Sequence, residues 1–165
     1  MCGLGHDWKV SELVKQRDRQ QLEVPAEVGQ LARVRAFVRS VATALGAPKA
    51  PLADVVQAVD ECVTNSIVHG YKGLPGTVEV EVERAGRHLV VRLRDRAPPF
   101  DPTRLPLPDL SLPLRRRPLG GMGVFLAREL TDRMSYRRTD GGNELTLVKS
   151  CIESGGMDDV DAVKA

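Results

Sequence analysis

Three polar residues recur every four positions along one predicted helix, in the stretch DECVTNSIVHGY. Glu61, Asn65 and His69 would lie on one face of that helix, about one turn apart. A carboxylate there could accept a proton from an attacking hydroxyl group or water, and an amide oxygen could ligate a hard cation such as Mg²⁺. A polar face turned to water has the same pattern, and a lone His69 is more typical of a structural hydrogen bond than of catalysis.

The segment RDRAPPFD, at residues 94–101, contains a second group of candidates. Asp95 ends an apolar strand pattern and precedes a turn that prolines stiffen. A carboxylate at a strand end could accept a hydrogen bond from an exocyclic amine such as that of adenine, but aspartate also commonly caps turns. Both interpretations stay open on this segment alone, and Asp101 before Pro102 could likewise be only a turn residue.

Glycines begin a third candidate segment, PLGGMGVFLAREL, at residues 118–130. Gly120, Gly121 and Gly123 would let the backbone approach a ligand closely, and the helix that follows would present free N–H groups to phosphate. The segment matches neither the Rossmann nor the Walker glycine motif. The arginines at 115–117 could clamp phosphate or could simply be solvated.

Hydrophobic periodicity predicts the elements that must position these groups. The predicted helices are Ala26–Leu45, Leu52–His69 with Gly70 as its C-terminal cap, and Met122–Thr131. The predicted strands are a short one ending at Pro25, then Thr77–Arg84, His88–Asp95, Arg133–Arg138 and Glu144–Cys151. The alternation of valine and glutamate in the first long strand predicts a solvated sheet face.

Tight-turn signals at Gly86 and at the sequence DGG, residues 140–142, join these strands as hairpins. The order of elements predicts an α/β fold, a two-layer sandwich in which three helices cover one face of a mostly antiparallel mixed sheet. Residues 1–17 are expected to be a poorly ordered lead-in, residues 18–152 the domain, and residues 153–165 a disordered acidic tail. The proline-rich stretch Arg96–Pro118 is too long for a simple connector and is typical of a lid or binding loop.

Composition and charge argue against several classes of protein. The chain has 165 residues, and its 24 basic and 22 acidic residues leave a net charge of +2, which gives no nucleic-acid footprint. No apolar run approaches the roughly 18 residues of a membrane span, and the N-terminus lacks the apolar segment of a signal peptide. Cys2, Cys62 and Cys151 have no metal-ligand spacing and are expected to be reduced. We therefore expect a cytoplasmic protein that binds neither membranes nor nucleic acid directly.

Taken together and in this order, the three segments resemble the motifs of the Bergerat-fold, or GHKL, ATP-binding superfamily. Within it the chain is similar to the bacterial anti-sigma-factor serine kinases of the RsbW and SpoIIAB type. The resemblance covers about residues 20–150. It is carried by Glu61, Asn65 and the sequence HGY at 69–71, by Asp95 through Asp101, and by the glycines at 120–123.

The resemblance implies a role for each motif. Asn65 would bind Mg²⁺, Glu61 would be the general base of phosphoryl transfer, and Asp95 would accept a hydrogen bond from the adenine amine. The glycines would form the hinge of an ATP lid at about residues 102–119. The residues implied to contact the nucleotide are Asn65, Asp95, Ala97, Phe100, Gly120, Gly121, Met122, Gly123 and Asn143.

Two positions depart from the pattern of that family. Ala97 stands where the adenine motif usually has glycine, so a methyl group narrows the room beside the base. Asn143 stands where a threonine commonly meets the adenine, although an amide can still donate and accept hydrogen bonds. These departures bear on nucleotide affinity, because neither of them removes the metal ligand or the base.

By resemblance, the protein would be an ATP-dependent serine/threonine kinase that acts as an anti-sigma factor. It would bind a sigma factor, phosphorylate a STAS-domain antagonist and form a homodimer. The alternative is a partner-switch protein that binds ATP with little or no turnover. Glu61 favours catalysis, because ATP binding could rest on Asn65 and Asp95 alone. A histidine kinase is less favoured, since the helix Ala26–Leu45 contains no histidine.

Overall fold

The computed structural model describes residues 19–106, 108, 111 and 121–151. The strands are β1 (Arg19–Pro25), β2 (Thr77–Ala85), β3 (His88–Asp95), β4 (Arg133–Thr139) and β5 (Gly142–Ser150). The α-helices are α1 (Leu31–Ala44), α2 (Lys49–Asn65) and α3 (Met122–Leu130). The predicted lead-in, acidic tail, Gly120, the arginines at 115–117 and most of the predicted lid lie outside the described residues.

The five strands form one sheet in the order β1-β2-β3-β5-β4. All four pairings between the described strands are antiparallel, and α1, α2 and α3 lie over the same face. The predicted two-layer sandwich is therefore confirmed, with a sheet that is antiparallel throughout rather than mixed. Since β5 lies between β3 and β4, the register places Asp95 opposite Asn143.

The helices pack on the sheet through a core built mostly of valine. Apolar residues at helical spacing in α1 and α2 meet the inward-facing residues of the strands, where β-branched side chains are favoured. The fully buried valines of this core include Val34, Val38, Val55, Val59, Val63, Val78, Val80 and Val82. Because the apolar side of α2 is used in this way, its polar side is left to line a cleft. No helix among the described residues combines the length and apolarity needed to span a bilayer.

The boundaries of two helices differ from the prediction. A 3-10 turn at Val28–Gln30 precedes α1, so the regular helix begins five residues later than Ala26. In contrast, α2 begins at Lys49 rather than Leu52, because a proline is tolerated in the first turn of a helix, where few N–H groups have partners.

Gly70 is not the C-terminal cap of the second helix. A π-helical segment, Ser66–Tyr71, continues α2, and Lys72 adopts the left-handed conformation with φ 52°. Glycine is favoured at position 70 for a different reason. A Cβ atom there would lie 3.1 Å from the Cβ of Ala97, so a side chain would crowd the turn after β3.

The glutamates of β2 do not form a simply solvated face. Glu81 is only 1% exposed and accepts hydrogen bonds from Arg19, from Arg92 at 2.7 Å and from Arg94 at 3.1 Å. Burial opposes ionisation of this carboxyl group, but the three arginines outweigh it and hold the pKa of Glu81 below its ordinary value. Alternation alone could not reveal this, because the covering arginines come from neighbouring strands.

Candidate functional site

The π-helical end of α2 brings the helix against the turn that follows β3. The Ser66 hydroxyl donates to Asp95 Oδ2 at 2.8 Å. The Tyr71 hydroxyl donates to the carbonyl of Thr77 at 2.7 Å and accepts from the backbone N–H of Arg96 at 2.9 Å. Single π-helical turns occur frequently at functional sites. Here the segment connects α2, β2 and the turn after β3.

Asp95 lies at the end of β3, where it serves as both a turn cap and part of a cleft wall. Its Oδ1 accepts from the backbone N–H of Ala97 at 3.0 Å, which is the capping role considered from the sequence. The same oxygen accepts from Asn143 Nδ2 at 2.7 Å, across the β3–β5 pairing. The two interpretations of Asp95 are therefore compatible. Asp101 is a turn residue, since its Oδ1 accepts from the backbone N–H of Thr103 at 2.9 Å.

Gly142 permits the close approach of β5 to this turn. Its φ is 139°, a conformation that other L-residues rarely adopt, and an added Cβ would lie 1.9 Å from the backbone carbonyl oxygen of Asp95. A side chain at this position would push the two backbones apart. Glycine therefore allows the neighbouring Asn143 to reach the Asp95 carboxylate.

A cleft, here called the base cleft, opens between the helices and the ends of β3 and β5. It is lined by Cys62, Asn65, Ser66, Gly70, Leu93, Asp95, Ala97, Pro98, Phe100, Pro102, Val124, Tyr136, Asn143 and Leu145. Ala97 is buried and packs beside Gly70, so the extra methyl group has a neighbour without a side chain. Phe100 remains 40% exposed. The polar groups lie among apolar walls, which is typical of small-molecule sites.

A second cleft, here called the phosphate cleft, lies beside the N-terminus of α3. Its lining residues are Glu61, Thr64, Asn65, His69, Gly121, Met122, Gly123 and Val124. Asn65 and Val124 line both clefts. The structure therefore brings residues of the three segments singled out from the sequence to two clefts that share Asn65 and Val124, whereas Gly120 lies outside the described residues.

Glu61 lies against the first turn of α3. Gln57 Nε2 donates to Glu61 Oε1 at 2.8 Å, and an added Cβ on Gly123 would lie 2.4 Å from Glu61 Oε2. Glycine at position 123 therefore leaves room for this carboxylate. Gly121, with φ 78°, begins the helix, whose first N–H groups lack intrahelical partners and favour negative charge nearby.

The oxygen donors of the phosphate cleft fit a hard cation. Asn65 and Glu61 offer amide and carboxylate oxygens, and the Asn65 side chain makes no hydrogen bond to any part of the chain that the structure describes. No cluster of three or more His, Cys, Asp or Glu is arranged around a metal position in that part either. Mg²⁺ commonly has few protein ligands and takes the rest from phosphates and water. These residues therefore suit Mg²⁺ bound together with a nucleotide.

Cys62 behaves as an apolar residue in the wall of the base cleft. Burial raises the pKa of its thiol to about 12, and the nearby charge of Glu61 adds to this effect. The thiol therefore stays protonated at neutral pH, as expected for a buried cysteine with a packing role. Cys62 and Cys151 are both free and buried.

Sequence reasoning did not identify Ser66 or Tyr136 as parts of the site, and it included Tyr71 in the HGY motif without giving it a role. Tyr136 lines the base cleft, and its hydroxyl donates to Asn143 Oδ1 at 2.8 Å. The period-2 pattern of β4 places Tyr136 on the same face as Met134, which packs on the core, so the strand pattern gave one usable signal. The positions of Ser66 and Tyr71 follow from the π-helical segment, which hydrophobic periodicity does not predict.

Comparison with known proteins gives independent evidence. The family model described as a histidine kinase-like ATPase domain matches residues 24–149. The chain is 32% identical over 89 residues to the serine/threonine-protein kinase BtrW of Bordetella bronchiseptica, an alignment that covers 53% of this chain and 63% of that protein. The chain thus spans less than two thirds of this relative's length.

Two further similarities cover more of the chain. It is 23% identical over 133 residues to the serine-protein kinase RsbW of Bacillus thuringiensis, covering 78% of this chain and 83% of that one. It also matches a crystal structure of the RsbU and RsbW domains of a Mycobacterium tuberculosis protein, with a TM-score of 0.56 and 23% identity, over 80% of this chain and 31% of that chain. The structural match supports the fold, and the named relatives confirm the resemblance that the three motifs predicted.

Proposed function

Because this chain belongs to the family of histidine kinase-like ATPase domains, we propose that it is an ATP-dependent serine/threonine protein kinase. We propose further that it acts in the cytoplasm as an anti-sigma factor, which binds a sigma factor and phosphorylates a STAS-domain antagonist of that binding. The names of the relatives support the kinase activity, since BtrW is named a serine/threonine-protein kinase and RsbW a serine-protein kinase.

One observation carries the proposal: Asn65 lines both the base cleft and the phosphate cleft. A nucleotide with its base near Asp95 would therefore have its phosphates beside Asn65 and Glu61. The N-terminus of α3 lies at the same place, and helix N-termini favour phosphate through their free N–H groups. Phosphoryl transfer needs mainly positioning, a metal and a base. The residues of this site can supply the positioning and the base.

Each residue has a definite task in such a site. Asp95 would accept a hydrogen bond from the adenine amine, and Asn65 would hold Mg²⁺ through its amide oxygen. When bound, Mg²⁺ would offset the charge of the phosphates. Glu61, held by Gln57 at 2.8 Å, would accept the proton of the attacking serine hydroxyl.

Calorimetric titration of ATP with and without Mg²⁺ tests the nucleotide site. The wild-type protein is expected to bind ATP more tightly when Mg²⁺ is present, and Asn65→Ala is expected to lose that increment. Gln21→Ala, which removes an exposed amide from β1 far from the clefts, serves as the matched control and should bind like the wild type. Absence of ATP binding, or full metal dependence in Asn65→Ala, would contradict the site.

A phosphotransfer assay tests the kinase activity. Labelled phosphate should pass from ATP to serine or threonine of a STAS-domain protein encoded in the same genome, and phosphorylation should weaken capture of that protein. Tight ATP binding without transfer to any STAS-domain protein would instead favour the partner-switch alternative. The expected homodimer stays a prediction, which sedimentation of the purified protein can check.

A further inference from the structure

All hydrogen-bonding groups of the Asn143 side chain are engaged within the protein. The residue is only 7% exposed. Its Nδ2 donates to Asp95 Oδ1 at 2.7 Å and to the carbonyl of Ala97 at 3.0 Å. Its Oδ1 accepts from the Tyr136 hydroxyl at 2.8 Å and from Arg138 Nη1 at 3.2 Å.

These partners allow only one orientation of the amide. Rotation by 180° about the last side-chain bond would place Oδ1 against the Asp95 carboxylate and the Ala97 carbonyl. It would also place the NH₂ group against Arg138, which can only donate, although the Tyr136 hydroxyl could accept from it. The contacts with Asp95, Ala97 and Arg138 would then be mismatched, and unsatisfied buried polar groups are costly. These three residues therefore determine which way Asn143 points, the Tyr136 hydroxyl stabilises that orientation by donating to Oδ1, and Asn143 in turn holds Asp95.

We propose that Asn143 and Tyr136 form a positioning pair that orients Asp95 for the base, and that Asn143 makes no contact of its own with the base. Purine selectivity then depends on the group at C6 that faces Asp95, and the N1 atom of the base is not recognised by Asn143. This inference rests on the ATP site proposed above and goes beyond it, because it names the residues that determine which purine is accepted.

The occupancy of the Asp95 oxygens supports this selectivity. Oδ1 already accepts from the Ala97 N–H and from Asn143, whereas among the described residues Oδ2 accepts from Ser66 alone. The remaining acceptor capacity suits a donor on the base. The C6 amine of adenine is such a donor, whereas the C6 carbonyl of guanine or hypoxanthine would bring an oxygen against the carboxylate. A site built to pair with an NH group rejects an analogue that lacks it strongly.

The hydrogen bonds of the Asn143 amide also lead to a prediction for the N1 atom of adenine. An amide nitrogen has two hydrogen atoms, and in Asn143 these are directed at Asp95 and Ala97. Neither remains for the N1 acceptor of adenine. An adenine nucleotide in which N1 is replaced by C–H should therefore bind nearly as well as ATP.

Titration of the wild-type protein with three nucleotides tests both statements. In the presence of Mg²⁺, 1-deaza-ATP is expected to bind within about threefold of ATP, whereas inosine triphosphate should bind at least about tenfold more weakly. A loss of more than about tenfold for 1-deaza-ATP would show that N1 is recognised and would overturn the inference, while the ATP site itself would stand.

The variant Tyr136→Phe tests the positioning pair. It keeps the ring and removes the hydroxyl that donates to Asn143 Oδ1, so the affinity for ATP should fall by about threefold to tenfold, with little change for inosine triphosphate. The expected sign of a positioning role is a smaller ratio of the affinity for ATP to the affinity for inosine triphosphate. A purely structural defect would weaken the binding of both nucleotides alike. Ser135→Ala, the neighbouring position on β4, is the control and should keep the wild-type ratio. An equal loss for both nucleotides in Tyr136→Phe would overturn the role of Tyr136.

A measurement on the nucleotide-free protein separates the inference from the proposed function. Side-chain NH₂ signals of Asn143 in a ¹⁵N NMR spectrum should exchange slowly with solvent in the wild type and faster in Tyr136→Phe. If the protein bound no ATP but these signals behaved as expected, the proposed function would fail while the positioning pair stood. Fast exchange in the wild type would overturn the pair whether or not ATP binds.

Discussion

The two clefts of the site differ in how firmly hydrogen bonds hold their polar side chains. In the base cleft, Asp95 accepts hydrogen bonds from Ser66, from Asn143 and from the N–H of Ala97. In the phosphate cleft, the described residues give Glu61 one exposed hydrogen bond, which Gln57 donates. The Asn65 side chain has no hydrogen-bond partner among the described residues.

This difference matches what each cleft would have to bind. A base is flat and nearly uncharged, so it can be selected by a few acceptors and donors that are already in place, and a preorganised site saves the cost of ordering them. Phosphates and a metal ion carry their own strong charges and need oxygen atoms that are still available. We infer that the base cleft is preformed and that the phosphate cleft is completed by its ligand.

The largest expected effect comes from Glu61→Gln in the phosphate cleft. The amide keeps the size of the side chain but cannot accept a proton, so the rate of phosphotransfer should fall by about 10²–10⁴-fold. ATP affinity should change little, because the base cleft is intact. Single-turnover assays with labelled ATP measure the rate, and Glu129→Gln, on the exposed side of α3, is the control. Transfer at the full rate would remove the base role of Glu61.

The next largest effect compares Gly142, which precedes Asn143 of the base cleft, with Gly123 of the phosphate cleft. Gly142→Ala should lower the free energy of unfolding by about 2–4 kcal/mol, because its Cβ would meet the rigid backbone oxygen of Asp95 at 1.9 Å. Gly123→Ala should cost less than about 1 kcal/mol, since the Glu61 side chain that its Cβ would meet can rotate away. Urea denaturation measures both.

Gly141→Ala is the matched control, because in the described part of the chain only Thr139 Oγ1, at 4.0 Å, lies within 4 Å of its Cβ position. It should unfold like the wild type. If Gly142→Ala proved as mild as Gly141→Ala, the turn after β3 would be able to move, and the claim that the base cleft is preformed would be wrong.

Much of the fold could be predicted because its pattern is local. The strand His88–Asp95 has the predicted bounds, and the Asp-Gly turn joins β4 and β5 as expected. The helix ends were less predictable, since the π-helical segment after Asn65 is stabilised by contacts with the turn after β3 rather than by its own sequence. The buried state of Glu81 escaped prediction for the same reason, because it depends on arginines from β1 and β3.

The candidate site shows the same division. Glu61, Asn65 and Asp95 were recognisable as candidates because polar side chains stood at motif spacing, and the structure places them along two clefts that share Asn65. Asn143 was expected to touch the adenine, whereas its amide is engaged by Asp95 and Tyr136. Such a partnership joins residues that are adjacent only after β5 lies between β3 and β4. Spacing along the chain therefore identified the candidate groups, but not the contacts that hold them in place.

Removal of Mg²⁺ should distinguish the contributions of the two clefts to binding without any substitution. With EDTA, the affinity for ATP should fall by about tenfold or more, because phosphate binding loses the cation beside Asn65. The affinity for adenosine, which has no phosphates, should change by less than about twofold. Competition against a fluorescent adenine nucleotide measures both in the same buffer. Equal losses for ATP and adenosine would contradict the assignment of the metal to the phosphate cleft.

The smallest expected effect is that of Tyr71→Phe, which tests how the base cleft is held. The hydroxyl joins the Thr77 carbonyl to the Arg96 N–H, so its loss should cost about 1–2 kcal/mol in the free energy of unfolding. Since these contacts fix the turn that carries Asp95, the affinity for adenosine should also fall, by about twofold to fivefold, while the Mg²⁺ increment for ATP stays. Ser40→Ala, an exposed hydroxyl on α1, is the control. An unchanged affinity for adenosine would mean that the Tyr71 hydroxyl stabilises the fold without positioning Asp95, and the preformed cleft would then depend on Ser66 and Asn143 alone.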